Sequence, residues 1–402
     1  MCAVPSPIAI DRAIRSQRRF LPLELSNPLV AALVVLALLI WPVYVFPAGY
    51  PQPVTFALLL AFLCVLISDP ASVAGMVRKP EIGLIALFLV YTLVVNAIFS
   101  LFYQDPEPLR NTAYYLQVLF GCIAVNYVLR TEPTAPRLLT IAILGALAVQ
   151  FVTFAVSVPV QGVRATLLFE NPNQLGFFGL LALAFILLLQ RYTGYPAIVS
   201  ALGAALSVLF VMLSLSKGAI LAAFLLLFLY LLLAPLRDRR WQRLRPVLLI
   251  AFPLAVIAVA VIYRDQIAML GAVADRLAEI GASSDDSFAG RSYIRIVIWP
   301  QYLLFGAGEG LVSRWEFPRE IHSMFGTLLF SYGLPGLGIV CALLAVVWRR
   351  NARDFIIYFL PILLYSVVHQ PMRQSMMWTL LISLAHFGPV SGINASGYAR
   401  KR

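Results

Sequence analysis

Long apolar runs recur along almost the whole of this chain, and no other feature limits its fold so severely. They fall at roughly 29–46, 52–68, 82–103, 112–129, 138–158, 173–190, 196–214, 218–235, 247–263, 322–347, 355–369 and 375–388. Charge, proline or glycine bounds each one. An α-helix needs about 20 apolar residues to cross a bilayer. Inside lipid every backbone N–H and C=O must be paired within the segment, and these runs lack the alternating pattern of a membrane barrel. The expectation is an all-α, polytopic transmembrane helical bundle of about 12 helices. Composition agrees: 61% of the 402 residues are hydrophobic and 12% are charged. A soluble domain is about 45–50% apolar and about 25% charged, and could not hide so much apolar surface.

Charge predicts the orientation. The net charge is +12, and 30 residues are Lys or Arg, nearly all Arg. With the N-terminus in the cytoplasm and twelve spans threaded, the cytoplasmic segments hold 20 basic residues and the opposite side 10. That split follows the positive-inside rule and puts both termini in the cytoplasm. Residues 1–28 are then a cytoplasmic N-terminal tail and 29–263 transmembrane helices 1–9. Residues 264–321 form an outer-face loop with short helices, 322–388 transmembrane helices 10–12, and 389–402 a cytoplasmic C-terminal tail. The first run is too long for the core of a cleavable signal peptide and lacks a small-residue cleavage site after it, so it reads as a retained helix.

The outer loop predicts two helices. Gln266 to Ile280 is amphipathic, and a second helix is expected from about Gly290 to Leu304, with Arg291 and Arg295 on one face. Cys64, Cys122 and Cys341 lie inside apolar runs and read as small hydrophobes. No HExxH, DxD, Cys/His cluster or Walker motif occurs, so metal, cofactor and nucleotide chemistry are not expected. The basic residues are spread over short loops, so no nucleic-acid partner is expected. The acidic pair Asp285–Asp286 reads as helix capping.

Three stretches carry most of the chemistry. Phe169-Glu170-Asn171-Pro172-Asn173-Gln174-Leu175-Gly176 stands at the outer start of the sixth span, where cap and ligand contact are both open readings. Ser214-Leu215-Ser216-Lys217-Gly218-Ala219 is a tight outer turn, and its lysine either snorkels to water or pairs with an anion. Arg291-Ser292-Tyr293-Ile294-Arg295 leads through Trp299-Pro300 to Gly306-Ala307-Gly308-Glu309-Gly310, then His322, then Tyr332-Gly333-Leu334-Pro335-Gly336. Arg164, Lys217 and Arg373 sit in short outer turns, and as a group the outer cations point to an anion site. His369 and His386 read as structural.

These stretches, in this order, resemble the bacterial O-antigen ligase and polysaccharide polymerase superfamily, over roughly residues 160–340 and most closely from Arg291 to Gly338. The first four or five spans match in hydropathy alone. The resemblance implies a metal-independent, inverting membrane glycosyltransferase without a cofactor, acting on the periplasmic face of a bacterial inner membrane. Its donor would be an undecaprenyl diphosphate-linked glycan, and its acceptor a growing polysaccharide or lipid A–core. By motif, Arg291 is the loop arginine, His322 the loop-end histidine and Lys217 the cation of the serine-rich turn. Arg164 and Arg295 are their companions at the diphosphate. Lys217 stands where the family more often has arginine, and lysine cannot make the bidentate fork to phosphate. Ser323 follows His322 where asparagine is usual. The outer loop is short for a ligase, which tilts the expectation toward a polymerase. The rival expectation is a multi-span transporter or lipid-linked oligosaccharide flippase.

Overall fold

The structure is a computed structural model, and it describes residues 27–46, 51–157, 164–234, 293–310, 312–315 and 320–387. The described residues are helical and contain no strand. They form a membrane-embedded bundle. In chain order the main helices are α1 (Pro28–Leu39), α2 (Pro53–Ser68), α3 (Pro70–Val77), α4 (Pro80–Tyr103), α5 (Glu107–Thr131), α6 (Ala135–Ser157) and α7 (Pro172–Thr193). They continue with α8 (Ala197–Leu213), α9 (Lys217–Leu233), the short α10 (Ile294–Ile298), α11 (Met324–Arg350), α12 (Leu360–Val368) and α13 (Ser375–Phe387).

Proline sets many of the starts. Pro28, Pro53, Pro70, Pro80 and Pro172 each stand in the first turn, where the missing N–H costs nothing and the fixed φ suits a helix. Proline also breaks what the apolar run promised. Pro42 follows α1, so the first span, expected to reach 46, is a helix of 12 residues. The second run, 52–68, forms α2, and the chain then turns by 110° into α3, which Asp69 caps.

Five described helices, α4, α5, α6, α7 and α11, are long and apolar enough to cross a membrane, or six if the bent α2–α3 pair is one span. Helices α1, α8, α9 and α13 are apolar but shorter. The expected run 247–263 lies outside the described residues, as do the amphipathic segment 266–280, Asp285, Asp286 and both chain tails.

Helices α5, α7 and α13 form the inside. Every side chain of α7 from Leu175 through Leu189 is buried, and so is every one of α13 from Ser375 through Ala385. A helix that is apolar all round has no reason to keep one face outward. Helix α4 does the opposite: Leu87, Val90, Leu93, Val94, Ile98, Leu101 and Phe102 are exposed, a surface suited to lipid. Cys122 is buried, Cys64 half-buried and Cys341 exposed, and all three are free thiols.

The second loop helix is shorter than expected. It runs from Ile294 to Ile298, breaks at Trp299, and resumes as a 3-10 turn at Pro300–Leu303. A residue before proline is pushed out of the helical region, and Trp299 sits at φ −122, ψ 62.

Helix α11 is interrupted. Gly333 has φ 63 and ψ −168, two residues before Pro335. Pro335 has no N–H to give the Ser331 carbonyl, and the break at Gly333 deprives Phe330 in the same way. The loop makes good the loss: Ala307 donates to the Phe330 carbonyl at 2.9 Å and Gly308 to the Ser331 carbonyl at 3.0 Å. The backbone approach is close. A Cβ on Gly306, itself at φ +96, would lie 2.3 Å from the Ser331 oxygen. The glycine-rich segment is therefore a plug for the broken helix, and it carries Glu309 into the bundle.

Candidate anion site at one end of the bundle

The ends of α4, α8 and α12 and the starts of α5, α7, α9, α11 and α13 share one end of the bundle if the helices alternate in direction as the topology requires. Two cationic patches form there, joined by the segment 367–374.

The first patch is built on Arg164. Its Nε donates to the Ser214 carbonyl at 3.1 Å and its Nη2 to Asn173 Oδ1 at 2.6 Å. One arginine thus ties together the Asn-Pro-Asn stretch and the serine-rich turn. Of the two readings of Asn171-Pro172-Asn173, the structure shows the helix cap. Asn171 caps α7, accepting from the Asn173 N–H at 2.8 Å, and Asn173 holds the arginine. The turn is strained: Leu215 has φ 48 and Leu167, in the loop beside it, φ 54. Non-glycine residues there cost of order 1–3 kcal/mol each and persist only where their surroundings hold them. Lys217 opens α9 and is half-buried. Lys217 follows Ser214, whose carbonyl Arg164 holds, by three positions, and a cation at a helix N-terminus opposes the helix dipole.

His369, expected to be structural, lies beside the Lys217 turn. It stacks on Tyr365 at 4.5 Å, and its ring lies 3.3 Å from where a Gly218 Cβ would stand. Its carbonyl accepts from the Met324 N–H at 3.0 Å, so His369 and His322 lie on adjoining strands of chain. His322 is exposed. It precedes rather than opens α11, whose cap is Ser323, accepting from the Gly326 N–H at 3.2 Å. His386 lies in the last turn of α13, at the far end of that helix from residues 367–374.

The second patch surrounds Glu309. Its carboxylate is 4% exposed. It accepts from Tyr115 at 2.8 Å, Tyr332 at 2.5 Å, Gln370 at 2.7 Å, and Arg373 through Nε at 3.0 Å and Nη2 at 2.8 Å. Its backbone N–H donates to Asn96 at 2.9 Å. Burial by itself would raise this carboxyl, but the Arg373 charge and the phenol hydrogen bonds outweigh it and hold it below the usual range. Arg373 is raised well above its ordinary value: burial opposes the charge, and Glu309 and then Glu320 overcome it. Glu320 meets Arg373 Nη2 at 3.1 Å and Nη1 at 3.5 Å.

Beside this network Arg295 is buried, its guanidinium 5.7 Å from the Trp315 ring centre. Burial, and then the neighbouring Arg314, push it down to about 10, with Glu320 acting the other way, so it stays cationic at neutral pH. Arg314 donates to the Ala307 and Gly308 carbonyls and lies over Phe99, Tyr103 and Trp315. Arg295, Arg373, Glu309 and Glu320 line one cleft.

Of the residues expected at the site, Arg164 and Lys217 fall in the first patch, Arg295 in the second, and His322 between them. Arg291 lies outside the described residues. Tyr293, two positions on in the sequence, donates to the Val367 carbonyl at 2.5 Å and so ties the start of the described loop to segment 367–374. Sequence reasoning missed Glu309 and the role of Arg373. The available signal was an acid placed between glycines that must approach other backbone closely. Among the described residues no group of three or more His, Cys, Asp or Glu could hold a metal. No protein-family model matches the chain, and no curated protein matches it.

Proposed function

We propose that the protein is a membrane glycosyltransferase of the O-antigen ligase and polysaccharide polymerase type. It would move a glycan from undecaprenyl diphosphate to an acceptor hydroxyl, on a polysaccharide or lipid A–core, at the periplasmic face of a bacterial inner membrane. The observation that carries this reading is the gathering of Arg164, Lys217, Arg295 and Arg373 at one end of an apolar bundle, beside His322 and His369. In this reading α1, α8, α9, α12 and α13 and the apolar run 247–263 complete the twelve spans, with both termini cytoplasmic.

A diphosphate leaving group needs such an arrangement. The acceptor oxygen attacks the anomeric carbon, the bond from that carbon to the diphosphate oxygen breaks, and its electron pair stays on the diphosphate. Fixed guanidinium and ammonium groups stabilise that charge without reorganising. The hydroxyl proton passes to His322, whose unperturbed pKa of about 6.5 suits the task. In-line attack inverts the anomeric centre. Arg291 is assigned to the diphosphate with Arg164, Lys217 and Arg295.

Reconstitution in liposomes with a short undecaprenyl diphosphate-linked oligosaccharide, without metal or nucleotide, tests the reading. A ladder of longer lipid-linked glycans is expected of a polymerase, and a single shift of added lipid A–core of a ligase. Arg291→Ala and His322→Ala are each expected to lose at least about a hundredfold in transfer, the range of general acid–base and charge-stabilising groups. Full activity in both variants would overturn the assignment. Glycan moved across the bilayer with no new bond would favour the flippase.

A further inference from the structure

Arg373 has more charged hydrogen-bonding edge than its buried partner uses. Glu309 takes Nε and Nη2 from one side and is itself saturated by Tyr115, Tyr332 and Gln370. That pairing fixes the guanidinium plane. The outward Nη1–Nη2 edge is met by Glu320 alone among the described carboxylates, at 3.1 and 3.5 Å. Glu320 is a different kind of partner. Its side chain is 44% exposed, against 4% for Glu309, and it belongs to the loop rather than to a helix. An ion pair with one partner so exposed is weak and exchanges readily.

The charges that line the cleft balance only while Glu320 is in place. Among the described residues Arg295 and Arg373 line it against Glu309 and Glu320, and Arg314, which stands beside Arg295, has Glu107 near it. With Glu320 turned out to solvent, two cations would face the cleft with one buried carboxylate already committed. A carboxylate seated end-on against a guanidinium edge also has the geometry of a phosphate oxygen pair.

We propose that the Nη1–Nη2 edge of Arg373, in the cleft it shares with Arg295, is a binding subsite for a phosphate-type oxyanion, and that Glu320 holds the place of that anion until it arrives. Glu309 is then a positioning residue for Arg373. The subsite deepens the proposed function by adding Arg373 to the anion-binding groups, yet it requires no glycosyl transfer. Its failure and the failure of the enzyme reading are therefore separable.

The test is binding of inorganic pyrophosphate to the purified full-length protein in nanodiscs of neutral lipid, with folding followed by thermal unfolding. Glu320→Gln removes the resident carboxylate from an exposed position and is expected to bind pyrophosphate about fivefold more tightly than wild type, the factor that a partly exposed ion pair can withhold. Adding Arg295→Gln to Glu320→Gln is expected to cancel the gain. Glu320→Gln binding pyrophosphate no more tightly than wild type, with an unchanged melting temperature, would overturn the proposal. So would a gain that survives loss of Arg295. A second arm names the source of the anion. If anionic phosphatidylglycerol in the nanodisc competes with pyrophosphate in Glu320→Gln, the subsite takes a lipid headgroup. If pyrophosphate binding is indifferent to it, the subsite takes a diphosphate and rejects bulk lipid.

Discussion

Glu309 and Arg373 are the residues whose pairing most decides the local chemistry. A buried carboxylate is costly unless its charge is matched and its lone pairs are filled, and here four side chains fill them. Glu309→Gln is expected to destabilise the protein by about 3 kcal/mol, because it leaves the arginine with the exposed Glu320 as its main counter-charge. Thermal unfolding in detergent measures the loss. The sign of the pH effect follows from the direction of the shift. Glu309 is held below its ordinary range in the folded protein. Its contribution is therefore complete above the unfolded carboxyl value of about 4.3 and fades as pH falls through the lower folded value. The wild-type melting temperature should fall in that acid window, and Glu309→Gln should lack this component of the fall. An unchanged acid profile in the variant would show that another carboxylate governs it.

At the scale of elements, the break in α11 and the glycine-rich loop form one unit, since each satisfies hydrogen bonds that the other leaves open. Glycine is required at 306 for two reasons, its positive φ and the 2.3 Å approach of a Cβ to the Ser331 oxygen. Gly306→Ala is expected to cost at least about 2 kcal/mol and to move the Glu309 carboxylate off Arg373. Gly338 lies in the same helix with nothing within 4 Å of its Cβ position. Gly338→Ala should therefore be neutral or stabilise by about 0.5–1 kcal/mol, the helix preference of alanine. Paired melting curves compare them, and equal losses would refute the plug. The same coupling explains why the loop could not be read from its own sequence. The helix expected over 290–304 breaks at Trp299 because Pro300 follows, a local cause. The docking of residues 306–310 depends instead on carbonyls that Gly333 and Pro335 set free more than twenty positions later.

For the molecule as a whole, two sets of cations lie at opposite ends of the bundle. Arg164, Lys217, Arg295 and Arg373 gather at one. At the other, Arg191 pairs with the buried Asp354 at 2.7 Å, Arg350 pairs with Glu81 at 2.8 Å, and Arg353 donates to the Leu233 carbonyl. In the proposed function the first end is the anion-handling face, while the ion pairs at the second tie helices together. A single cysteine at 322, in a cysteine-free background, is expected to react with an impermeant maleimide added to intact spheroplasts. One at 353 should react only after permeabilisation. The reverse pattern would invert the proposed topology.

The sequence by itself determined that this is a helical membrane protein. It also determined roughly where most helices begin and end, because apolar runs, prolines and capping side chains act over a few residues. Arg164, Lys217, Arg295 and His322 stood out for the same reason, as departures from a simple apolar pattern, and the site built on them is a proposal. Tertiary structure alone decided that Glu309 holds Arg373 across 64 positions of sequence, that His369 stands beside the Lys217 turn, and that loop backbone closes a broken helix. Charge pairing and backbone hydrogen bonding act over a few ångströms of space. Which distant residues come that close is fixed by how the helices pack.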